Sequence, residues 1–235
     1  MRKYSNILTL MSIVILFSCS SQSQSYKKYH YLTYLPTNYE NEELKNYPVI
    51  FFLHGASLRG DEINKIEKYG IPKLIKDGKD FDFIVISPQC PLEMTWASEN
   101  WFIKTFEDVK IKYRIDTNKV YLTGMSLGGE GTWYIAEKHP DFFAAIAPVC
   151  GRSSNIESIK KDIHKISNMP TWLFHGEQDK TYTVTESDDI YEKLVKINKD
   201  VKYTRYPNLG HWATHDSTYK NDELYNWFLE HSKKQ

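Results

Sequence analysis

Five short apolar runs recur along the chain: Pro48–Leu53, Phe83–Ile86, Val120–Thr123, Ala144–Ala147 and Thr171–Phe174. Each lacks the polar alternation of a half-solvated strand, so each reads as a strand covered on both faces. Helical stretches separate them, over Glu62–Lys76 with a break near Gly70 and Pro72, around Phe106–Tyr113, over Leu127–Lys138 and over Ile156–Ile166. An early strand, Tyr29–Leu35, precedes the series; a helix Ser187–Ile197, a strand Lys202–Tyr206 and a closing helix Asp222–His231 complete it. Parallel strands need long crossovers, and helices supply them. The pattern therefore predicts an α/β fold, a mostly parallel central sheet with helices on both faces. With 235 residues, 41% of them hydrophobic, and no linker-like stretch after the first thirty positions, one large domain is expected.

The N-terminus stands apart from this pattern. Arg2 and Lys3 precede an uncharged stretch, Ile7 to Phe17, too short for the ~20 residues of a spanning helix. Its end, Leu16-Phe17-Ser18-Cys19, resembles a bacterial lipobox, which implies cleavage after Ser18, diacylglycerol on Cys19 and a cell-envelope location, periplasmic or surface-facing. The polar run Ser20 to Ser25 suits a tether. The expected division is a signal peptide over 1–18, a tether over 19–28 and a domain over 29–235, with the membrane reached through the lipid. The 30 basic and 30 acidic side chains balance, and the one basic group, Lys110, Lys112 and Arg114, follows Glu107 and Asp108. No stripe for tracking phosphates results, so no nucleic-acid partner is expected. Cys90 and Cys150 follow apolar runs, where two free buried thiols are expected.

Gly124-Met125-Ser126-Leu127-Gly128 lies immediately after one apolar strand and opens a helix carrying Gly128, Gly129 and Gly131. A serine in a sharp strand-to-helix elbow presents its hydroxyl at the strand's C-terminal edge, and flanking glycines remove clashing side chains. Such a hydroxyl is a weak nucleophile until a base takes its proton and an acid orients the base. Where such an elbow carries a triad, the acid follows the serine along the chain and precedes the histidine. Asp179, with Glu177 as the rival, follows the strand Thr171–Phe174; His211, with His215 as the rival, lies on the loop after Lys202–Tyr206. A developing oxyanion needs two N–H donors: Leu127 offers one, and the turn after Leu53 offers Ala56, with Ser57 as the alternative and His54 bracing that turn. A local Arg59–Asp61 contact is expected beside it. Trp96 and Trp101 fall on a long segment that could wall a substrate pocket or pack onto the domain, and Trp212 stands beside the expected base.

Phe52-Leu-His-Gly-Ala56, Ser87-Pro-Gln-Cys-Pro91, Tyr121 to Gly129, His139-Pro-Asp-Phe-Phe-Ala144, Ala147-Pro-Val-Cys-Gly151 and Phe174-His-Gly-Glu-Gln-Asp179 together carry a resemblance. They are similar to the phospholipase/carboxylesterase and dienelactone-hydrolase group of the α/β-hydrolase superfamily, in its branch of predicted peptidases and polysaccharide-linked esterases. The similarity runs from about Tyr29 to the C-terminus. It implies the α/β-hydrolase fold, His211 as the base because it directly follows Gly210, and a serine hydrolase acting on small-molecule or glycan-linked carboxylic esters through an acyl-enzyme, with no cofactor or metal. A serine peptidase with the same triad and a non-catalytic glycan-binding lipoprotein are the alternatives.

Overall fold

The computed structural model describes residues 29–98, 100–151 and 163–233. Seven strands form one sheet: β1 Tyr31–Tyr34, β2 Tyr47–Leu53, β3 Ile84–Pro88, β4 Ile115–Met125, β5 Ala145–Val149, β6 Thr171–Gly176 and β7 Val201–Tyr206. Their order is β1-β3-β2-β4-β5-β6-β7. Only β1 runs antiparallel to its neighbour; every other pairing is parallel. The helices are α1 Gly70–Lys76, α2 Trp101–Lys112, α3 Leu127–Lys138, α4 Val184–Leu194, α5 His211–Lys220 and α6 Asp222–Leu229. The expected helix over Ile156–Ile166 falls largely outside the described residues, and its last turn is a 3-10 turn, Ile163–Ile166.

The unbroken apolar runs follow from coverage on both faces. Along β2, Val49, Phe51 and Leu53 enter one core with Trp101, Phe102 and Phe106 of α2 and Trp133 of α3. The intervening Ile50 and Phe52 enter a second core with Ile71 of α1, Tyr219 of α5 and Phe228 of α6. Successive strand side chains point to opposite faces, so a strand between two helical layers must be apolar at every position. Burying each such side chain contributes roughly 1.5–3 kcal/mol.

The break expected near Gly70 has a local cause. A 3-10 helix, Ile63–Lys68, ends before Tyr69, which is extended, and Gly70 follows at φ +65°. The Phe52 ring lies against Gly70, where a Cβ would sit 2.2 Å from Cζ, so no side chain fits there. Pro72 then falls in the first turn of α1, where its missing N–H costs no hydrogen bond.

One element differs from expectation. His211 does not lie within a loop; it is the first residue of α5. The segment His211–Lys220 carries few apolar residues, and its buried face consists largely of His211, Thr214, His215, Thr218 and Tyr219, so no hydrophobic period announces the helix. Docking onto β6 and α1 forms it. Among the described residues no helix is long and apolar enough to cross a membrane.

Candidate active site

Strand β4 ends at Met125 and α3 begins at Leu127, which leaves Ser126 as the single residue of the turn. Its backbone adopts φ 57°, ψ −120°. A side chain there costs of order 1–3 kcal/mol, a strain that surrounding contacts must hold. The Ser126 N–H donates to Val149 O at 2.9 Å, and Ser126 O accepts from the Glu130 N–H at 3.0 Å. The turn can be this tight because α3 starts flush against the sheet. A Cβ on Gly128 would stand 1.9 Å from Leu53 O, and one on Gly124 would stand 2.3 Å from Gly128 O.

The segment after β2 is locked beside this elbow. The buried His54 accepts the Cys90 N–H through Nε2 at 3.0 Å, so its proton sits on Nδ1 and is donated to Gly55 O at 2.7 Å. Burial pushes the His54 imidazole down to about 4, so the ring stays neutral. Gly55 packs against the elbow: a Cβ there would be 3.5 Å from Ser126 Cβ. Ala56 opens a 3-10 turn, Ala56–Leu58, and Leu127 opens α3. First-turn N–H groups have no partner within their own helix, so neither the Ala56 nor the Leu127 N–H is spent inside its helix. Arg59 does not pair with Asp61; its guanidinium donates to the carbonyls of Met94 at 3.1 Å and Ala56 at 3.4 Å.

On the far side of β5, Asp179 follows β6 in a turn its own carboxylate organises. Oδ1 accepts the N–H groups of Thr181 at 2.8 Å and Tyr182 at 3.0 Å. Oδ2 accepts from His211 Nδ1 at 2.6 Å and lies 3.3 Å from His175 Nε2. Burial by itself would raise the Asp179 carboxyl, but the hydrogen bonds from His175, His211 and the Tyr182 N–H hold it far below the usual carboxylate range. Asp179 is therefore an anion that fixes His211 in the tautomer with its proton on Nδ1, leaving Nε2 free to accept one. Glu177 turns away and pairs with Arg205 at 3.2 Å.

His175 is a further member of this group, one that the sequence analysis did not single out. Its Nε2 lies 3.1 Å from Tyr182 O as well as near Asp179. Both neighbours accept, so Nε2 carries the proton and Nδ1 takes the Ser187 hydroxyl at 2.7 Å. His215, one turn beyond His211, packs edge-on against it with ring centroids 4.5 Å apart. Neither of its ring nitrogens has a hydrogen-bond partner, and burial lowers its pKa to about 3. The elbow and these histidines meet at one sheet edge. Val149 O binds the Ser126 N–H, and the next residue, Cys150, brings its thiol within 4.8 Å of ligand nitrogens of His211 and His215.

Cys150 with His211 and His215, or with His175 and Asp179, offers metal-ligand atom types in one place. Burial drives the Cys150 thiol well above its ordinary range, which opposes the thiolate that a metal requires. Cys90 and Cys150 are both free and buried.

Trp96 and Trp101 face inward, at 1% and 3% exposure, and offer no surface to a substrate. Trp96 Nε1 donates to His54 O at 3.0 Å and Trp101 Nε1 to Trp96 O at 2.9 Å, so the pair braces the turn after β2. Trp212 does the opposite and is 53% exposed beside His211. Cys19 lies outside the described residues.

Comparison with known proteins agrees with this geometry. An uncharacterized secreted protein of Arthroderma benhamiae is 27% identical over 224 residues, covering 76% of this chain and 23% of that protein. A bifunctional acetylxylan esterase/xylanase of Neocallimastix patriciarum is 24% identical over 208 residues, covering 81% and 28%. The chain thus spans about a quarter of the length of these curated relatives. The crystal structure of a thermostable esterase superposes with a TM-score of 0.70 at 28% identity, over 86% of this chain and 59% of that one. The sheet order, the serine elbow after β4 and these likenesses identify the α/β-hydrolase fold. The sequence model of the dienelactone hydrolase family matches residues 98–225, and with more than half of its length in that match the chain belongs to the dienelactone hydrolase family.

Proposed function

We propose that the protein hydrolyses carboxylic esters, with Ser126 as nucleophile, His211 as base and Asp179 as the group that orients it. The observation that carries this reading is the strained Ser126 elbow at the same sheet edge as the 2.6 Å Asp179–His211 hydrogen bond. Ser126 Oγ attacks the ester carbonyl while His211 Nε2 takes its proton. The N–H groups of Leu127 and Ala56 receive the oxyanion, and His211 returns the proton to the departing alcohol. Water then enters on the same base and releases the acid. Such a site suits the glycan-linked and small esters suggested by the acetylxylan esterase among the relatives. A fluorophosphonate probe should label the wild-type chain and leave Ser126→Ala unlabelled; labelling of both, or of neither, refutes the assignment.

Export followed by lipid attachment at Cys19 belongs to the same proposal. It is supported by Leu16-Phe17-Ser18-Cys19 and by a relative that is a secreted protein. Cys19→Ala should move the protein out of the detergent phase, because the polar run Ser20 to Ser25 supplies no membrane affinity of its own.

A further inference from the structure

The chain enters the domain at the sheet edge that carries the candidate site. β1 runs antiparallel to β3 and pairs Tyr31 with Pro88, the last residue of β3. The residues before Tyr31 therefore lie beyond the C-terminal end of β3, where the Gln89 N–H donates to His30 O at 2.8 Å. Ser126 follows the C-terminal end of β4, Asp179 that of β6 and His211 that of β7. Strands β2 to β7 are all parallel, so these ends share one edge with the point of entry. Ten residue steps separate Cys19 from Tyr29, a reach of at most about 35 Å for an extended chain. A lipid on Cys19 would thus hold this edge close to the bilayer.

The same edge exposes apolar side chains. Leu92, on the segment after β3, is 62% exposed, Trp212, in the first turn of α5, 53%, and Tyr69, just before α1, 37%. Leu92 lines one hollow with His30, beside the point of entry. Trp212 and Tyr69 stand with ring centroids 5.1 Å apart, and the Trp212 ring lies 6.0 Å from that of His211. Leu44, Ile111, Val195 and Ile197 are exposed as well, but before β2 and at the ends of α2 and α4, toward the opposite edge. Indole and phenol rings suit the headgroup level of a bilayer, where an apolar body and a polar tip are both satisfied. Electrostatic attraction has little to work on here. Lys73 pairs with Asp77 and Lys220 with Asp216, which leaves Lys68 as the cation beside Tyr69 without an ion pair among the described residues. A lysine alone is far from the clusters of about four or more that hold anionic lipid. Three apolar side chains bind a membrane weakly by themselves, but a short tether turns that contact into an intramolecular one at an effective concentration on the order of millimolar.

We propose that this edge docks on the bilayer that carries the anchor, with Trp212, Tyr69 and Leu92 set among the lipid headgroups and the candidate site turned toward the membrane surface. The docking rests on lipid attachment at Cys19. To test it, the full-length lipoprotein is extracted from membranes and reconstituted on vesicles of phosphatidylcholine, with ordinary or brominated acyl chains, and its tryptophan emission is measured. Bromine quenches an indole only at contact distance. Of the six tryptophans Trp212 is the exposed one and the other five are buried, so the quenched share of the emission reports Trp212. Brominated lipid should remove part of the wild-type emission, none of that of Trp212→Phe, and a smaller part when Tyr69→Ala and Leu92→Ala are combined. Equal emission in both lipids, from protein that floats with the vesicles, overturns the docking and leaves the anchor standing. Protein that does not float refutes the anchor, and the docking with it. Quenching as strong in Trp212→Phe as in the wild type overturns the assigned surface. Quenching that appears only with anionic lipid and vanishes in high salt makes the contact electrostatic, which also overturns the proposal.

Discussion

His211 and His215 stand one helical turn apart on α5 with their rings 4.5 Å apart, yet only His211 reaches Asp179. His215 has no hydrogen-bond partner for either nitrogen and stays neutral through burial. His211→Ala is therefore expected to lower kcat by a factor of roughly 1,000 or more with the fold intact. His215→Ala removes only packing against His211, and on the proposed mechanism, in which His215 carries no proton, its kcat should fall by no more than about tenfold. Measuring kcat for both variants on one activated ester checks this; an inactive His215→Ala with an active His211→Ala reverses the assignment.

Asp179 is predicted to act through charge and tautomer together. Asp179→Asn would present an amide where His211 needs an acceptor, and kcat should drop by roughly 10,000-fold, as when an orienting carboxylate is neutralised in other triads. His175→Gln keeps one donor near Asp179 but loses the bridge between Tyr182 O and Ser187. A smaller fall in kcat, about tenfold, is expected, with KM unchanged because substrate binding does not use it. A rise in KM with kcat retained would mean that His175 supports binding instead.

The α3 start tolerates no side chain at Gly128. A methyl there would meet Leu53 O at 1.9 Å and His54 O at 2.9 Å, both backbone atoms that cannot rotate away. Gly128→Ala should cost about 2 kcal/mol or more and displace the Leu127 N–H from the oxyanion position. Gly55→Ala meets its nearest atoms at 3.5 Å with an ordinary backbone, so its stability should stay within about 1 kcal/mol of wild type. Urea midpoints for the two variants give the comparison, and equal destabilisation would contradict the contact geometry.

Acid should destabilise the fold well before its carboxylates titrate. His54 falls from the ordinary 6.5 to about 4 because it is buried. Between those values the unfolded chain binds a proton that the folded chain refuses, so stability rises with pH across the window and is lost as pH falls through it. The loss from His54 amounts to up to about 3 kcal/mol by pH 4. His215 acts in the same direction, and Asp179, depressed in the folded state, adds its share below about pH 5. Denaturant unfolding at pH 7 and pH 5 decides the sign; greater stability at pH 5 would refute it.

Strands β2 to β6 were legible as apolar runs because burial on both faces is a local demand, written residue by residue. The serine elbow was legible for a similar reason: Gly-x-Ser-x-Gly next to a strand describes a backbone path that few other residues permit. The start of α5 was hidden, since Thr214, His215 and Thr218 are buried polar side chains that only docking against β6 and α1 makes tolerable. Trp96, Trp101 and Trp212 show the limit most directly. They share one chemistry, yet two lie beneath the turn after β2 and the third faces solvent beside His211. Whether an indole is walled in depends on segments far away in sequence, and so does the pairing of Asp179 with His211 of α5 and of Glu177 with Arg205 of β7. The sequence by itself determined the layers and the strand-to-helix elbow, because each depends on neighbours along the chain. Only the tertiary structure decided which acid meets which histidine and which aromatic faces reach solvent, because those depend on contacts between residues that only the packed sheet brings together.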